Sequence, residues 1–376
     1  MNTNFTYERY QRQIILKGLG IAGQQQLAAA KILVIGAGGL GCAALQYLVA
    51  AGVGTIGIVD DDFVNLSNLH RQVLYAVKDI GKQKSLTAKE KLQQLNPEIS
   101  IIAYNERLTT KNALAIFQNF DIIIDGTDNF ASRYLINDAC ALTKKPTVFG
   151  AISQFQGQLA IFNYSGKNES TPVNYRDLFP VPPKDDEVLN CADAGVLGVL
   201  PGIIGTMMAN ETIKLITGIG KPLMNSMLTY NALNNQVFEV ELSSHPATVL
   251  LMPKDAESFK EMDYKFLCSA SIQTFEIDVD HFNDLIATAK VDIIDVRELG
   301  ELPEINEFNY LQIPLSVFEE NIPLIENDTV VLFCQSGKRS RLAAQSLMDR
   351  MGTLKKIYSL QGGIVKWLND YQNRQR

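Results

Sequence analysis

The sequence predicts an α/β protein of two domains: a larger one with a mostly parallel sheet carrying helices on both faces, then a smaller one of the same layered kind. Three observations carry this reading. Short apolar, β-branched runs alternate with helical stretches from Lys31 to Asp125 and again from Ile272 to Trp367. The length, 376 residues, exceeds one ordinary domain. The alternation lapses once, between Ser243 and Ala270, where His245-Pro246, Pro253-Lys254 and a charged run interrupt it. The expected organisation is a first domain over 1–245, a linker over 246–270 and a second domain over 271–376.

In the first domain, Lys31 to Gly36 reads as a strand, the stretch to Ala51 as a helix and Thr55 to Asp60 as the next strand. A helix follows over Ser85 to Leu95, stopped by Asn96-Pro97. Then come a strand over Ile99 to Tyr104, a short helix near Lys111 and a strand over Asp121 to Asp125. Thr147 to Ile152 and Gln158 to Asn163 read as strands, Ser165 to Asn190 as a long polar loop and Gly202 to Thr217 as a buried helix. Met227 to Tyr230 and Val237 to Leu242 close the domain. The second domain reads as strands over Ile272 to Ile277, Val291 to Val296, Thr329 to Phe333 and Lys356 to Ser359. Its helices lie near His281 to Thr288, from Ser340 onward and around Trp367.

Composition narrows the classes of function. With 46% hydrophobic and 20% charged residues, the chain has the material for real cores, which excludes global disorder. Thirty-four Lys and Arg against 41 Asp and Glu leave a net charge of −7, the wrong sign for a nucleic-acid binder, so an anionic ligand must be met by local cations. The five cysteines are odd in number and form no C-x-x-C pair, which argues against a disulfide framework and fits a reducing cytoplasm. Met1 to Tyr10 lacks the apolar centre of a signal peptide. The most apolar long segment, Gly195 to Gly218, is interrupted by Pro201, Asn210, Glu211 and Lys214, so no membrane span is expected.

Gly36-Ala37-Gly38-Gly39-Leu40-Gly41 follows a strand and opens a helix, so backbone N–H groups can face a phosphate with no Cβ in the way. Asp60 closes the next strand, where a carboxylate reaches a ribose hydroxyl. Tight strand-to-helix packing is the plainer explanation of the glycines, and at this step NAD(P) and ATP fit equally well. A further set separates them: Asp60-Asp61-Asp62, Ser67-Asn68-Leu69-His70-Arg71-Gln72, Lys84, Thr127-Asp128-Asn129 and, upstream, Arg9-Tyr10-Gln11-Arg12-Gln13. Arg12, Arg71 and Lys84 could neutralise a triphosphate while Asp62 or Asp128 holds Mg²⁺, which is nucleotidyl-transfer chemistry. Any one of these cations taken singly is more simply a solvated surface charge.

In that order the motifs resemble the MoeB/ThiF family of ubiquitin-activating-enzyme-like adenylyltransferases, over about Tyr7 to Leu242. The resemblance implies a Rossmann-like domain in which the C-terminal glycine carboxylate of a ubiquitin-like sulfur carrier, ending in Gly-Gly, attacks the ATP α-phosphate. It places Gly36, Gly38, Gly39, Gly41, Asp60, Asp62, Ser67, Asn68, Arg71, Lys84, Asp128 and Asn129 at the nucleotide. Within that set Asp60 meets the ribose, Arg71 and Lys84 meet phosphates, and Asp128 holds Mg²⁺ or assists the chemistry. Arg12 is implied to reach a neighbouring subunit's ATP, because relatives work as homodimers. Asn190-Cys191-Ala192-Asp193 resembles the segment carrying the family's mobile cysteine and makes Cys191 a candidate nucleophile; a small buried hydrophobe is its plainer fate. Many relatives hold zinc with two C-x-x-C pairs. Here Asn174-Tyr175-Arg176-Asp177 stands at the first and nothing near 243–249 supplies the second, so no structural zinc is expected.

Cys334-Gln335-Ser336-Gly337-Lys338-Arg339-Ser340 follows an apolar strand and precedes a helix, so loop N–H groups can converge on one sulfur and favour the thiolate, with Lys338 and Arg339 beside it. Together with Asp295-Val296-Arg297-Glu298 and Leu360-Gln361-Gly362-Gly363, this loop resembles the rhodanese active loop, over about Ser271 to Trp367. The rhodanese's usual stretch before Ile313-Pro314-Leu315 is replaced by Glu301 to Leu311. A phosphatase loop would need arginine six residues after the cysteine, and position 340 is Ser340. The joint expectation is adenylation in the first domain and attack by a Cys334 persulfide in the second, with Cys191 resolving the product. The catalytic set is thus Cys334, Cys191, Arg71 and Asp128, and a cysteine-desulfurase-type protein is a fitting sulfur donor. The carrier could serve molybdopterin synthesis or the thiamine thiazole. A nicotinamide dehydrogenase and a non-catalytic persulfide scaffold are the competing classes.

Overall fold

The structure, a computed structural model, describes residues 7–166, 172–180, 195–264, 276–287, 290–322, 325, 327–351 and 355–374. The described residues divide into two compact units, the first over 7–264 and the second over 276–374.

The first unit is built on an eight-stranded sheet. Its strands are β1 (Lys31–Ile35), β2 (Thr55–Val59), β3 (Ser100–Tyr104), β4 (Ile122–Asp125), β5 (Thr147–Ser153), β6 (Gln156–Phe162), β7 (Ser226–Asn231) and β8 (Gln236–Glu241), in spatial order β3-β2-β1-β4-β5-β6-β7-β8. Pairings from β3 to β5 are parallel and those from β5 to β8 antiparallel. The mostly parallel sheet predicted from sequence therefore has an antiparallel extension. Central β1 and β4 are apolar along nearly their whole length because helices bury both faces, whereas every residue of edge strand β8 is exposed.

Around the sheet lie α1 (Tyr7–Ile14), α2 (Gly20–Ala29), α3 (Gly39–Ala51), α4 (Lys84–Leu95), α5 (Ala113–Phe117), α6 (Phe130–Thr143), α7 (Tyr175–Leu178), α8 (Leu200–Thr217) and α9 (Ala256–Glu261). The long apolar α8 is spent on this core: Leu200, Ile204, Met208 and Ala209 are buried, and a methyl group on Gly205 would sit 2.3 Å from the Leu40 carbonyl of α3. α1 and α2 were not read as helices from the sequence. The stretch read as a linker also contains structure, since Asp255 caps α9 and Tyr264 is buried. Those residues are part of the first unit's packing.

The second unit holds five parallel strands, β9 (Glu276–Ile277), β10 (Val291–Asp295), β11 (Leu311–Gln312), β12 (Thr329–Phe333) and β13 (Lys356–Leu360), in order β11-β10-β12-β13-β9. Helices α10 (Val279–Ile286), α11 (Phe318–Asn321), α12 (Lys338–Met351) and α13 (Gly363–Arg374) accompany them. Alternation along β12 sends Val330, Leu332 and Cys334 into the core under α12, while Val331 and Phe333 join the other core with Trp367. The sulfur-bearing residue is thus placed by strand period. The predicted helix from Ser340 begins two residues earlier.

Candidate functional site

In the first unit the chain runs from β1 outward to β2 and β3, then returns to β4 on the other side of β1, so the crevice beyond β1 and β4 is the switch point where open α/β sheets bind ligands. The three strands end level: Ile35 pairs with Val59 and with Asp125, the Gly36 N–H donates to the Val59 carbonyl (2.9 Å) and the Gly126 N–H to that of Ile35 (2.9 Å). Glycine is required here for distinct reasons. Gly36 has a positive φ of 90°, and a methyl on Gly41 would lie 1.9 Å from the Gly36 carbonyl oxygen. A methyl on Gly39 would lie 2.9 Å from Pro201 of α8. Packing therefore explains those three, while Gly38, whose nearest neighbour would be Gln72 Nε2 at 3.7 Å, leaves the N-terminus of α3 open to an anion.

Asp60 lies beside this turn. One carboxylate oxygen accepts the Ala37 N–H (2.7 Å) and the other the Asp62 N–H (2.9 Å). Burial pushes its carboxyl above the ordinary range, opposed by Lys84 and by those two N–H groups. Buried Lys84 opens α4 and holds Asp62 at 2.9 Å, but the Asp62 side chain is 74% exposed, so a phosphate can take its place at little electrostatic cost. Tyr75, missed in the sequence reading, ties this corner together: its hydroxyl lies 2.9 Å from the Ala37 carbonyl and 3.2 Å from that of Lys84.

Arg71 follows a 3-10 turn, Leu66–Asn68, that Asn65 caps through Ser67. Its guanidinium donates to Asn68 Oδ1 (2.9 Å), the Ser67 carbonyl (3.3 Å) and His70 Nε2 (3.4 Å). Neighbouring Gln72 is buried and donates to Asn68, but its Oε1 has no partner. On the other side of the turn, Asp128 is exposed directly after β4, where Thr127 donates twice to buried Asp125. Asn129 has a structural task, accepting the Ser132 N–H as the cap of α6. Among the described residues no group of three or more His, Cys, Asp or Glu is placed to hold a metal. Mg²⁺ here would rest on Asp128 and on nucleotide phosphates, the usual arrangement for that ion.

Arg12 is not brought to this cluster. α1 docks at the far pole of α3 and α4: Arg9 donates to Leu95, Gln13 to Ala51, and the Tyr10 ring lies over Gly52 with its hydroxyl bonded by Asn96. The 13 residues of α3 separate that pole from the glycine turn by about 20 Å. Arg12 is exposed there, beyond the reach of its own chain's turn.

Cys191 and Cys268 lie outside the described residues. Of the other cysteines, Cys42 and Cys140 are inert by burial, which pushes the Cys42 thiol up to about 12 and raises Cys140 as well. Cys334 is also buried, but its sulfur accepts the Gly337 N–H (3.2 Å) and lies 3.7 Å from Ser340 Oγ. Ser340 lies in turn within 2.9 Å of Ser359 Oγ on β13. The loop, with Ser336 exposed and Gln335 half-buried, leans on Gly362-Gly363: a methyl on Gly363 would sit 2.5 Å from the carbonyls of Cys334 and Gln335. Arg339 departs from the expectation that it lends charge to the thiolate, because Glu301 holds it bidentately at 2.5 and 2.7 Å. Burial alone would raise the Glu301 carboxyl, but Arg339, the Glu298 N–H and Arg297 together hold it below the ordinary range. Asp295 and Arg297 likewise pair with each other, with Arg297 Nη1 on the Pro303 carbonyl.

Asn174-Tyr175-Arg176-Asp177 forms a hydrogen-bonded clasp. Asp177 accepts the Asn174 and His245 N–H groups and the Thr248 hydroxyl (2.8, 2.9 and 2.5 Å). Arg176 meets Asp138 through two bonds (2.9 and 2.7 Å), and the Tyr264 hydroxyl donates to the same carboxylate (2.8 Å). Stretches 174–177 and 245–248 are thereby joined without sulfur ligands.

Residues 10–250 match the ThiF family, and residues 278–370 match the Rhodanese-like domain. The chain is 40% identical over 375 residues to the Probable adenylyltransferase/sulfurtransferase MoeZ of Mycobacterium tuberculosis, covering 97% of this chain and 93% of that one. It is 47% identical over 262 residues to the Sulfur carrier protein adenylyltransferase of Thermus thermophilus, covering 69% and 96%. It is 38% identical over 369 residues to the Probable molybdopterin-synthase adenylyltransferase of Porphyra purpurea, covering 96% and 93%. A solved structure of MccB from E. coli shares the fold at a TM-score of 0.56 and 21% identity, over 65% of this chain and 74% of that one. With matches over nearly its whole length, the chain belongs to the ThiF family, extended by a rhodanese-like domain, as an adenylyltransferase and sulfurtransferase enzyme.

Proposed function

We propose that the first unit adenylates the C-terminal glycine of a ubiquitin-like sulfur carrier and the second converts the adenylate to a thiocarboxylate. In the first step a carrier carboxylate oxygen bonds to the ATP α-phosphorus as the bond to the β-phosphate oxygen breaks and pyrophosphate leaves. Arg71 and Lys84 lower the charge of the phosphates, the α3 N-terminus holds one of them, and Asp60 holds the ribose. Mg²⁺, with Asp128 as its protein ligand, would supply further charge neutralisation. In the second step the terminal sulfur of a Cys334 persulfide bonds to the carrier carbonyl carbon and AMP leaves, giving an acyl disulfide on Cys334. A Cys191 thiolate attacking the Cys334 sulfur then releases the thiocarboxylate and leaves a disulfide for later reduction. A cysteine-desulfurase-type protein is the proposed source of the persulfide sulfur.

The observation that carries this reading is the corner at the switch point, where Lys84 and the open turn at Gly38 lie beside Asp60 and the Arg71 backbone passes the same turn at Gly39. The name of the Porphyra purpurea relative favours the molybdopterin carrier over the thiamine-thiazole one. Incubation with Mg–ATP, radiolabelled pyrophosphate and each purified carrier tests the proposal. Label should enter ATP only with a Gly-Gly-ended carrier, and exchange without any carrier, or hydride transfer from a nicotinamide, would overturn it. The position of Arg12 supports a homodimer in which each copy lends that arginine to the other. Two variants, Arg12→Ala and Lys84→Ala, each inactive alone, should then regain exchange when mixed.

A further inference from the structure

We infer that His70 is a positioning residue for Arg71, and that only its neutral form performs this task. This rests on the adenylation reading, in which Arg71 meets the nucleotide phosphates. His70 Nδ1 lies 3.0 Å from the Ser67 carbonyl oxygen, which can only accept, so Nδ1 carries the hydrogen. Nε2 then presents a lone pair, and Arg71 Nη1 donates to it at 3.4 Å. The same Nη1 also donates to the Ser67 carbonyl and Nη2 donates to Asn68. One side of the guanidinium is thereby fixed by residues of a single short turn before any ligand arrives.

The ring is held from outside as well. Gly198, two residues before α8, packs on His70 so closely that a methyl there would lie 2.7 Å from the His70 carbonyl and 3.1 Å from ring Cδ2. No titratable residue occurs in Gly195–Val199 or in the Asn65–Asn68 turn, and the charged group hydrogen-bonded to this imidazole is Arg71. A proton added at Nε2 would turn the accepted hydrogen bond into an N–H facing a cation. Arg71 would then be pushed away from its place, and affinity for the triphosphate would fall.

Equilibrium binding of Mg–ATP to the full-length chain tests this at about pH 8 and about pH 5.5. The proteins compared are the wild type, His70→Ala and His70→Gln, whose amide can donate to Ser67 and accept from Arg71 without titrating. At the higher pH His70→Ala should bind about threefold to tenfold more weakly, the worth of one ordinary hydrogen bond, and His70→Gln should restore most of the loss. Toward the lower pH the wild type should lose a similar factor beyond whatever loss His70→Gln shows. Unchanged binding by His70→Ala, or one pH profile shared by wild type and His70→Gln, overturns the role of His70 alone. A wild-type chain that binds no Mg–ATP at the higher pH overturns the adenylation reading and this one with it.

Discussion

The turn after β1 and the turn after β12 both leave the carboxyl end of a central parallel strand and enter a long helix, yet one is kept open and the other is filled. In the first, Gly38 leaves the backbone bare, Lys84 is paired with exposed Asp62, and Arg71 is held by the Ser67 carbonyl, Asn68 and His70 and by no carboxylate that the hydrogen bonds show. In the second, Cys334 fills the turn and its neighbouring cation, Arg339, is neutralised by Glu301. The difference follows the chemistry. A polyanionic ligand needs uncommitted positive charge, whereas a sulfur atom needs directed N–H and O–H groups and a fixed cradle.

Removing the filled turn's one reactive atom is the largest expected effect. Cys334→Ala should abolish sulfur transfer from thiosulfate to cyanide while leaving Mg–ATP binding unchanged; residual transfer above a tenth of wild type would break the contrast. Next in size is the clasp of the first unit. Asp138→Ala strands buried Arg176 and should destabilise that unit by about 3–5 kcal/mol, read by urea unfolding, with the second unit's transition unmoved. The open turn gives a sharper comparison within itself. Gly41→Ala should cost about 1–3 kcal/mol in the same assay and weaken ATP binding, because its methyl would meet backbone, whereas Gly38→Ala should fold normally.

The smallest effect concerns charge alone. Asp79, bonded by the Ala76 N–H and paired with Lys82 and Lys91, is held at about 2 against the opposing pull of burial. A carboxyl depressed in the folded state stabilises above its unfolded value, about 3.9, and that contribution disappears as pH falls toward 2. Asp79→Asn should therefore narrow the difference between urea midpoints at pH 5 and pH 2. Identical slopes in both proteins would assign the acid sensitivity elsewhere.

Features set by neighbouring residues were legible in the sequence. The β1–α3 turn, the succession of strands β1 to β4 along the chain and the Cys334 loop all show themselves within short windows, because strand period and turn glycines are local. Of the residues singled out in the sequence, Lys84 and Asp60 lie beside the Gly36–Gly41 turn, where the Ala37 N–H reaches Asp60, and Arg71 passes Gly39 with its backbone. What escaped was set by distant partners. Arg176 and Tyr264 meet Asp138 from 38 and 126 residues away, so the pattern of 246–264, a linker with apolar positions at Val249 to Met252, does not reveal its fastening to that carboxylate. Glu301 was noticed only as a departure, since its partner Arg339 lies 38 residues on. Tyr75 and His70 act through carbonyls and a guanidinium that no sequence spacing reveals. α1 is polar, and its helix depends on docking at Gly52 and Asn96, for which local pattern gives no sign.

The fastening of Tyr264 to Asp138 also orders events during synthesis. Three stretches, around residues 138, 176 and 264, must all have left the ribosome before the buried carboxylate is fully bonded. A nascent chain halted just after β8 would therefore carry a complete sheet but an unfinished lock, and would be more open to proteases than the same chain twenty-odd residues later.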